Sequence, residues 1–244
     1  MPSLDRRSAL FLDADGTLLD IAETPRAVTV PSGLPDTLGD LLGLLDGAMA
    51  LVSGRSIAEL DRLFGPLQPA CAGLHGLELR LRPGASVMRM ASAAIGNALR
   101  NEIAAIALRN ADLLVEDKGA SITLHYRRAP TLAVPLARQL RAAIAGSGLS
   151  LTAGRMVWEI RDATCSKATA IRALMRQPAF AGRRPIYIGD DYGDEDGFAE
   201  AERLGGVALA VASESTIDRA AAFADPAAVR AWLRAAAESL RGTA

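Results

Sequence analysis

The chain has few cysteines and almost no net charge. Only two cysteines, Cys71 and Cys165, occur among 244 residues, and they form no Cys-x-x-Cys pair. This argues against a disulfide framework and against a zinc site. The 27 basic residues nearly balance the 28 acidic ones. The chain therefore lacks the charge excess that is typical of proteins that bind nucleic acid or anionic membranes.

Long apolar runs are also missing. The first run follows Arg6 and Arg7 and is interrupted by Asp13, so it is too short for a signal peptide or a membrane span. We therefore expect a cytoplasmic protein with neither a membrane nor a nucleic acid as partner. Half of the residues are hydrophobic, which is enough for a sizeable core in one large domain or two small ones.

Four short apolar runs predict buried strands, at residues 9–12, 48–52, 185–188 and 207–211. Apolar stripes at helical spacing lie between and after these runs. Ser56 and Glu59 complete a capping box at the start of one predicted helix. Because the strands alternate with helices, we predict the α/β class, with a parallel sheet covered on both faces.

The pattern changes in the middle of the chain, where helix, strand and strand follow one another twice. The economical arrangement of such an αββαββ segment is a small antiparallel sheet with two helices on one face. We predict that residues 1–82 and 164–244 form two halves of one core domain. Residues 83–163 would then form a smaller α+β domain inserted between the halves.

Alternation within the inserted segment separates two faces of its sheet. Ile122, Leu124 and Tyr126 fall on one strand face, which the helices would cover. The opposite face would present the polar side chains of Glu116, Lys118, His125, Arg127, Glu159 and Arg161. This face is either a hydrogen-bonding surface for a ligand or a solvated face of the kind that antiparallel sheets commonly have.

The segment Asp13-Ala-Asp15-Gly-Thr17 follows the first predicted strand and carries the clearest chemical signal. Two carboxylates at the end of a parallel strand lie where α/β sheets bind ligands, and their repulsion calls for a divalent cation. Asp13 is a competent nucleophile toward phosphorus. Asp15 is suited to protonate a leaving alcohol and then to deprotonate water.

Further polar residues follow other predicted strands or begin helices. Ser53, with the N–H groups of Gly54 and Arg55, and the ammonium of Lys167 would contact a phosphate. Alone, Ser53 reads as a helix cap and Lys167 as a solvated lysine. Their shared placement at one sheet edge favours a site. The predicted Mg²⁺ ligands are the carboxylate of Asp13, the backbone carbonyl of Asp15, and Asp190, Asp191 and Asp194.

These four motifs, at Asp13 with Asp15, Ser53, Lys167, and Asp190 with Asp191, resemble those of the haloacid-dehalogenase-like phosphatases. The resemblance covers residues 8–81 and 164–240. It implies a Rossmann-like core, Mg²⁺ dependence and an aspartyl-phosphate intermediate.

A narrower resemblance involves the inserted segment. Residues 73–76, 115–119, 124–127, 154–160 and 189–195 are similar to signature segments of trehalose-6-phosphate phosphatases. In that family the insert is a cap that closes over the core and binds the disaccharide. The resemblance implies trehalose 6-phosphate as substrate and a possible functional coupling to a separate synthase. Together with the motifs above, the resemblance implies these substrate-binding residues: Gly54, Arg55, His75, Glu116, Lys118, His125, Arg127, Arg155 and Glu159.

The chain departs from this pattern near Lys167, where the preceding residues 162–166 lack the usual proline and glycine and Ala168 stands where glycine is usual. It also departs at two further positions. Gly193 stands where threonine is usual, and Arg155 where lysine is usual. Neither change removes a group that phosphoryl transfer requires, but a planar arginine fork would change contacts to sugar hydroxyls. Three other functions stay open: a phosphatase for sucrose phosphate or mannosylglycerate phosphate, a phosphohexomutase, and a non-catalytic sugar-phosphate sensor. The sensor would be expected to lack Asp13 or Asp15, which are both present.

Overall fold

The structure is a computed structural model that describes residues 2–22, 27–90, 95–119, 121–154, 156–213 and 219–242. These residues form two compact units. The larger unit comprises Met1–Met90 and Ser166–Ala244, and the smaller unit comprises Ala91–Cys165. The first boundary lies later than residue 83 because a short strand at Met88–Arg89 pairs with the sheet of the larger unit.

The larger unit holds strands and helices from both ends of the chain. Its first half contains β1 Ser8–Leu12, α1 Leu34–Leu44, β2 Met49–Val52, α2 Ile57–Phe64, β3 Ala70–Gly73, β4 Glu78–Arg80 and β5 Met88–Arg89. The smaller unit follows with α3 Asn97–Leu108, β6 Leu114–Asp117, β7 Ile122–His125, α4 Ala133–Ala143, β8 Leu149–Gly154 and β9 Val157–Asp162. The second half of the larger unit contains α5 Lys167–Met175, β10 Arg184–Gly189, α6 Glu195–Arg203, β11 Val207–Val211, β12 Ala221–Phe223 and α7 Pro226–Gly242.

The larger unit is built on one eight-stranded sheet. Its strand order is β12-β11-β10-β1-β2-β3-β4-β5. The pairs from β12 to β3 are parallel, and β4 and β5 extend the sheet in antiparallel fashion. The predicted α/β class and the four predicted strands are therefore confirmed, while β3, β4, β5 and β12 are additional.

The central strands are mostly apolar, with Ser8 and Arg184 only at the first positions of β1 and β10, because helices cover the sheet. All five residues of β1 are buried, and β1 pairs with β10 on one side and with β2 on the other. The helix α2 begins at the predicted capping box, in which the Ser56 side chain accepts from the Glu59 N–H. Among the described residues, no helix combines the length and the apolar character needed to cross a lipid bilayer.

The smaller unit has the predicted element order αββαββ. Its sheet has the order β6-β7-β9-β8, and every neighbouring pair is antiparallel. Ile122, Leu124 and Ile160 form a buried cluster with side chains of both helices, among them Ile103 and Leu140. The helices thus pack on the apolar face that the alternation predicts.

The strand order of the larger unit places three motif residues at one edge of its sheet. Asp13 follows β1, Ser53 follows β2, and Asp190 follows β10. Because these three strands are parallel neighbours, their carboxyl ends lie side by side, which is where open α/β sheets bind ligands.

Candidate active site

The backbone fixes the two motif residues that follow β1 and β2. The N–H of Asp13 donates to the carbonyl oxygen of Ile188 at 3.0 Å, and the N–H of Ser53 donates to that of Ala72 at 2.8 Å. The side chains of Asp13 and Ser53 are buried at these positions. The backbone hydrogen bonds of the sheet therefore extend one residue beyond β1, to Asp13, and one residue beyond β2, to Ser53.

Lys167 joins two carboxylates. It is the first residue of α5, after the N-cap residue Ser166. Its Nζ donates to Oδ1 of Asp13 at 2.8 Å and to Oδ1 of Asp194 at 2.5 Å. All three side chains are less than a tenth exposed. The predicted catalytic lysine thus lies in a buried ion-pair chain rather than in solvent.

Asp194 is held by four donors. Its Oδ2 accepts from the N–H of Asp190 at 2.9 Å and from that of Asp191 at 3.1 Å. Its Oδ1 accepts from Lys167 and from the hydroxyl of Tyr187. Sequence reasoning missed Tyr187, although a tyrosine inside a buried strand signals that its hydroxyl needs a partner. Asp194 therefore fixes the turn that follows β10.

The charges of the buried groups Asp13, Lys167 and Asp194 favour the ionised forms of Lys167 and Asp194. Burial disfavours both charged forms, but Asp13 and Asp194 raise the pKa of Lys167 well above its ordinary value. Burial likewise opposes ionisation of Asp194, yet the charge and hydrogen bonds of Lys167 and the hydroxyl of Tyr187 lower the pKa of Asp194. Lys167 is thus an ammonium held between two carboxyl groups.

The other carboxyl groups at this edge are harder to ionise. Burial, together with the charges of Asp194 and Asp190, raises the pKa of Asp13 well above its ordinary value, against the charge of Lys167. Burial and the charges of Asp194 and Asp191 raise the pKa of Asp190 to about 8. Burial followed by Asp194 also raises the pKa of Asp191. The site therefore holds more carboxyl groups than one lysine can keep ionised.

Three of the predicted metal ligands lie close together. One carboxylate oxygen each from Asp13, Asp190 and Asp194 falls within 4.8 Å of the others. The side chains of Asp15 and Asp191 are not in this group. Arg55 binds both oxygens of Asp15, and the Gly193 N–H donates to Oδ1 of Asp191 at 2.8 Å. Buried carboxylate oxygens in excess of the nearby cations suit a hard divalent cation.

The loop after β1 also touches Asp190. Thr17 donates its hydroxyl to Oδ1 of Asp190 at 3.4 Å. Gly16 has a φ of +82°, and a Cβ at this residue would lie only 2.1 Å from Oδ2 of Asp190. Glycine is therefore required here both by the backbone conformation and by the approach of the carboxylate.

Arg55 binds Asp15 with a two-point contact. Nε of Arg55 donates to Oδ2 at 2.6 Å and Nη2 donates to Oδ1 at 2.7 Å. The backbone N–H of Arg55 donates to Oγ of Ser53 at 3.2 Å. The guanidinium of Arg55 thus contacts the carboxylate of Asp15. A contact between Arg55 and the substrate stays a prediction.

His75 lies in a strained turn beside the Ser53 loop. Leu74 and His75 both have positive φ, +48° and +53°, which costs non-glycine residues free energy and concentrates at functional sites. Their N–H groups donate to the carbonyl oxygens of Arg55 and Ser53. A Cβ on Gly54 would lie 2.6 Å from Nε2 of His75. The imidazole is thus seated directly against Gly54.

The predicted sugar contacts lie in the smaller unit. Oε2 of Glu116 lies 3.4 Å from Nε2 of His125 and 3.8 Å from Nζ of Lys118. The hydrogen bond to His125 lowers the pKa of Glu116, against burial. Thr123 is the register partner of both Glu116 and Glu159, so these two carboxylates share one face of the sheet.

The structure describes one of the two arginines predicted to contact the sugar, Arg127, but not the other, Arg155. Arg127 is exposed in the turn that follows β7, and Arg155 lies outside the described residues. The substrate-binding roles of all the residues in the smaller unit stay predictions.

A family model and two similar proteins agree on the family to which this chain is related. A family model described as trehalose-phosphatase matches residues 11–225. A Sinorhizobium fredii protein named a probable trehalose-phosphate phosphatase is 46% identical, with 83% of this chain and 77% of that protein covered. The Escherichia coli protein named trehalose-6-phosphate phosphatase is 36% identical, with 88% of this chain and 81% of that protein covered.

Solved structures support the fold. The C-terminal domain of the C. albicans trehalose-6-phosphate phosphatase matches with a TM-score of 0.80 at 21% identity, covering 96% of this chain and 92% of that one. A phosphatase of the haloalkanoate (HAD) superfamily from Bacteroides thetaiotaomicron matches with a TM-score of 0.56 at 18% identity, covering 96% and 93%. The family model spans most of the chain and the two relatives exceed 30% identity, so the chain belongs to the trehalose-phosphatase family of HAD-fold enzymes.

Proposed function

We propose that this enzyme hydrolyses trehalose 6-phosphate to trehalose and phosphate through an aspartyl-phosphate intermediate. The observation that carries the phosphatase chemistry is the buried chain of Asp13, Lys167 and Asp194 at the carboxyl edge of the sheet. The substrate is supported by the names of the two relatives. The match to this chain covers more than three quarters of the length of each relative.

In the first step Asp13 is the nucleophile. One oxygen of its carboxylate forms a bond to phosphorus while the bond from phosphorus to the 6-oxygen of trehalose breaks. The leaving oxygen takes a proton from the carboxyl group of Asp15. Lys167 contacts Oδ1 of Asp13, so it orients the nucleophile and offsets part of the negative charge at the site.

In the second step water replaces Asp13 on phosphorus. The water oxygen forms a bond to phosphorus, the Asp13–phosphorus bond breaks, and Asp15 accepts a proton from the water. Free Asp13 and inorganic phosphate are regenerated. Ser53 follows β2, and its Oγ accepts the N–H of Arg55. At this edge of the sheet its hydroxyl would donate to a phosphoryl oxygen.

Asp13 and Asp190 are the side chains best suited to hold Mg²⁺. The described side-chain contact of Asp190 is the hydroxyl of Thr17, whereas four donors already bind Asp194. We therefore assign Asp194 mainly to orienting Lys167 and the turn after β10, while its proximity to the other two carboxylates keeps it a candidate ligand. When bound, Mg²⁺ would balance the charge of the phosphoryl oxygens.

Substrate choice belongs to the smaller unit in this proposal. Glu116, Lys118, His125 and Glu159 offer charged and polar groups on one sheet face, and Arg127 and Arg155 would add to them. A pocket that hydrogen-bonds many hydroxyls rejects a wrong sugar because its polar groups are then left unpaired. As a cap, the smaller unit would also exclude water from the site.

The test of the proposal is product analysis with the purified protein. Trehalose 6-phosphate and Mg²⁺ should yield trehalose and phosphate in equal amounts. Release of phosphate from sucrose phosphate or mannosylglycerate phosphate, but not from trehalose 6-phosphate, would replace the proposed substrate. Transfer of the phosphate within the sugar would favour a mutase, and coupling to a separate synthase stays a prediction.

A further inference from the structure

The contact between Arg55 and Asp15 gives Arg55 a role other than holding the substrate phosphate. Both oxygens of Asp15 accept hydrogen bonds from one guanidinium, at 2.6 and 2.7 Å. The side chain of Arg55 is 11% exposed and that of Asp15 is 36% exposed. A two-point contact of this kind fixes the plane of the carboxylate as well as its position.

The backbone of Arg55 is itself fixed from two sides. Its N–H donates to Oγ of Ser53 at 3.2 Å, and its carbonyl oxygen accepts the N–H of Leu74 at 2.9 Å. The guanidinium therefore extends from a rigid loop that already belongs to the site. A catalytic group supported in this way is held in one orientation before the substrate arrives.

In the proposed reaction Asp15 first protonates the leaving oxygen and then accepts a proton from water. The contact with Arg55 suits the second of these tasks. The two-point contact fixes the direction of both carboxylate oxygens of Asp15, and one of these oxygens must point at the attacking water to accept its proton. We propose that Arg55 is a positioning residue that acts through Asp15, by aligning this carboxylate for hydrolysis of the aspartyl-phosphate. This inference rests on the proposed function and refines the earlier prediction that Arg55 binds the substrate.

The two half-reactions separate this role from phosphate binding. With p-nitrophenyl phosphate, the Asp13–phosphorus bond forms as p-nitrophenolate leaves with its electron pair, and this good leaving group needs no proton from Asp15. Hydrolysis still requires Asp15 to accept a proton from water. A protein that lacks Arg55 should therefore form the phosphoenzyme and then stall.

The experiment compares Arg55→Ala, Arg55→Lys, Asp15→Asn and the double variant Arg55→Ala/Asp15→Asn by stopped flow with p-nitrophenyl phosphate. For Arg55→Ala we expect a burst near one p-nitrophenolate per active site, followed by turnover slowed about 10- to 100-fold. Asp15→Asn should show the same burst. The double variant should be no slower than Asp15→Asn within about threefold, because both changes remove one function.

Two further variants control for charge and for folding. Arg55→Lys keeps the charge but not the two-point geometry, so it should recover only part of the turnover. Arg62, an exposed arginine in α2, gives the matched control, and Arg62→Ala should behave as the unaltered protein. If circular dichroism shows that Arg55→Ala does not fold, Arg55→Lys and Arg55→Gln carry the same comparison.

Three results would overturn the inference. They are a raised KM with unchanged kcat and no burst, a slowed burst with normal hydrolysis, and losses that multiply in the double variant. The first two would return Arg55 to substrate binding, and the third would make it independent of Asp15. By contrast, an unaltered protein that hydrolyses no phosphate ester would overturn the proposed function itself.

Discussion

The ammonium of Lys167 lies 2.8 Å from Oδ1 of Asp13, although 154 positions separate the two residues in the chain. The contact arises because α5 begins at Lys167 and because Asp13 leaves the sheet next to β10. The same ammonium reaches Asp194. One lysine therefore connects the motif after β1 to the turn after β10.

Replacement of the nucleophile should separate activity from stability. Asp13→Asn should abolish phosphate release, because an amide forms no aspartyl-phosphate. Burial, with the charges of Asp194 and Asp190 and against that of Lys167, raises the pKa of Asp13, so a neutral amide at this position should leave the unfolding temperature in EDTA unchanged or higher. Thermal denaturation and phosphate assays check both points. Turnover by a variant purified free of contaminating phosphatase would contradict the nucleophile assignment.

The polar face of the smaller unit should govern substrate choice. Glu116→Gln and Arg127→Ala should lower kcat/KM for trehalose 6-phosphate by about 10-fold or more, as expected when polar partners of a bound sugar are removed. Both should leave hydrolysis of p-nitrophenyl phosphate unchanged. Arg128→Ala, in the same exposed turn as Arg127, is the matched control. Equal losses on both substrates would remove this face from specificity.

A methyl group at Gly16 should disturb Asp190 directly. Gly16→Ala would place Cβ 2.1 Å from Oδ2 of Asp190, while Gly33 has a similar φ of +79° and nothing within 4 Å of its Cβ position. Both substitutions should cost about 1–2 kcal/mol of stability through the left-handed backbone. Only Gly16→Ala should also weaken Mg²⁺ affinity and activity, measured by metal titration. Equal activity in the two variants would contradict the assigned role of Asp190.

A buried carboxylate on α6 should make stability depend on pH. Glu200 is bound by two forks, from Arg172 at 2.8 and 3.0 Å and from Arg203 at 2.6 and 2.9 Å. The hydrogen bonds of Arg203, with those of Arg172 and against burial, lower the pKa of Glu200 to about 2. This stabilisation is present above the pKa of an unfolded glutamate and is lost as the pH falls towards 2.

The matched test uses Glu200→Gln and the exposed Glu238→Gln. At neutral pH Glu200→Gln should lower the free energy of unfolding by about 1–3 kcal/mol, the range for hydrogen bonds to a charged group. The difference from the unaltered protein should shrink below about pH 4.3, the ordinary glutamate pKa. Urea titrations across this pH range measure it. A difference that stays constant down to about pH 2 would contradict the assignment.

The sequence predicted the parts of the fold that repeat a strong pattern. The apolar runs before Asp13, Ser53 and Asp190 are long enough to identify central parallel strands. Period-two alternation separated the faces of the smaller sheet because one face is buried. By contrast, β3 is only Ala-Cys-Ala-Gly and β12 only Ala-Ala-Phe, and such short runs of small residues carry little strand signal.

Side-chain pairs at the site depended on tertiary structure. The fork between Arg55 and Asp15 joins residues 40 positions apart, and no local pattern indicates it. The positive φ values at Leu74 and His75 are also not indicated by the sequence, because neither residue is a glycine or an asparagine. Motif residues could therefore be named from the sequence, whereas their partners could not.

The most direct test of the central claim is phosphate release from a panel of sugar phosphates, with Mg²⁺ and with EDTA. The panel includes trehalose 6-phosphate, sucrose phosphate, mannosylglycerate phosphate and glucose 6-phosphate. We predict that trehalose 6-phosphate has the highest kcat/KM, that trehalose is the second product, and that EDTA abolishes turnover. Faster hydrolysis of another sugar phosphate, or undiminished turnover in EDTA, would contradict the account.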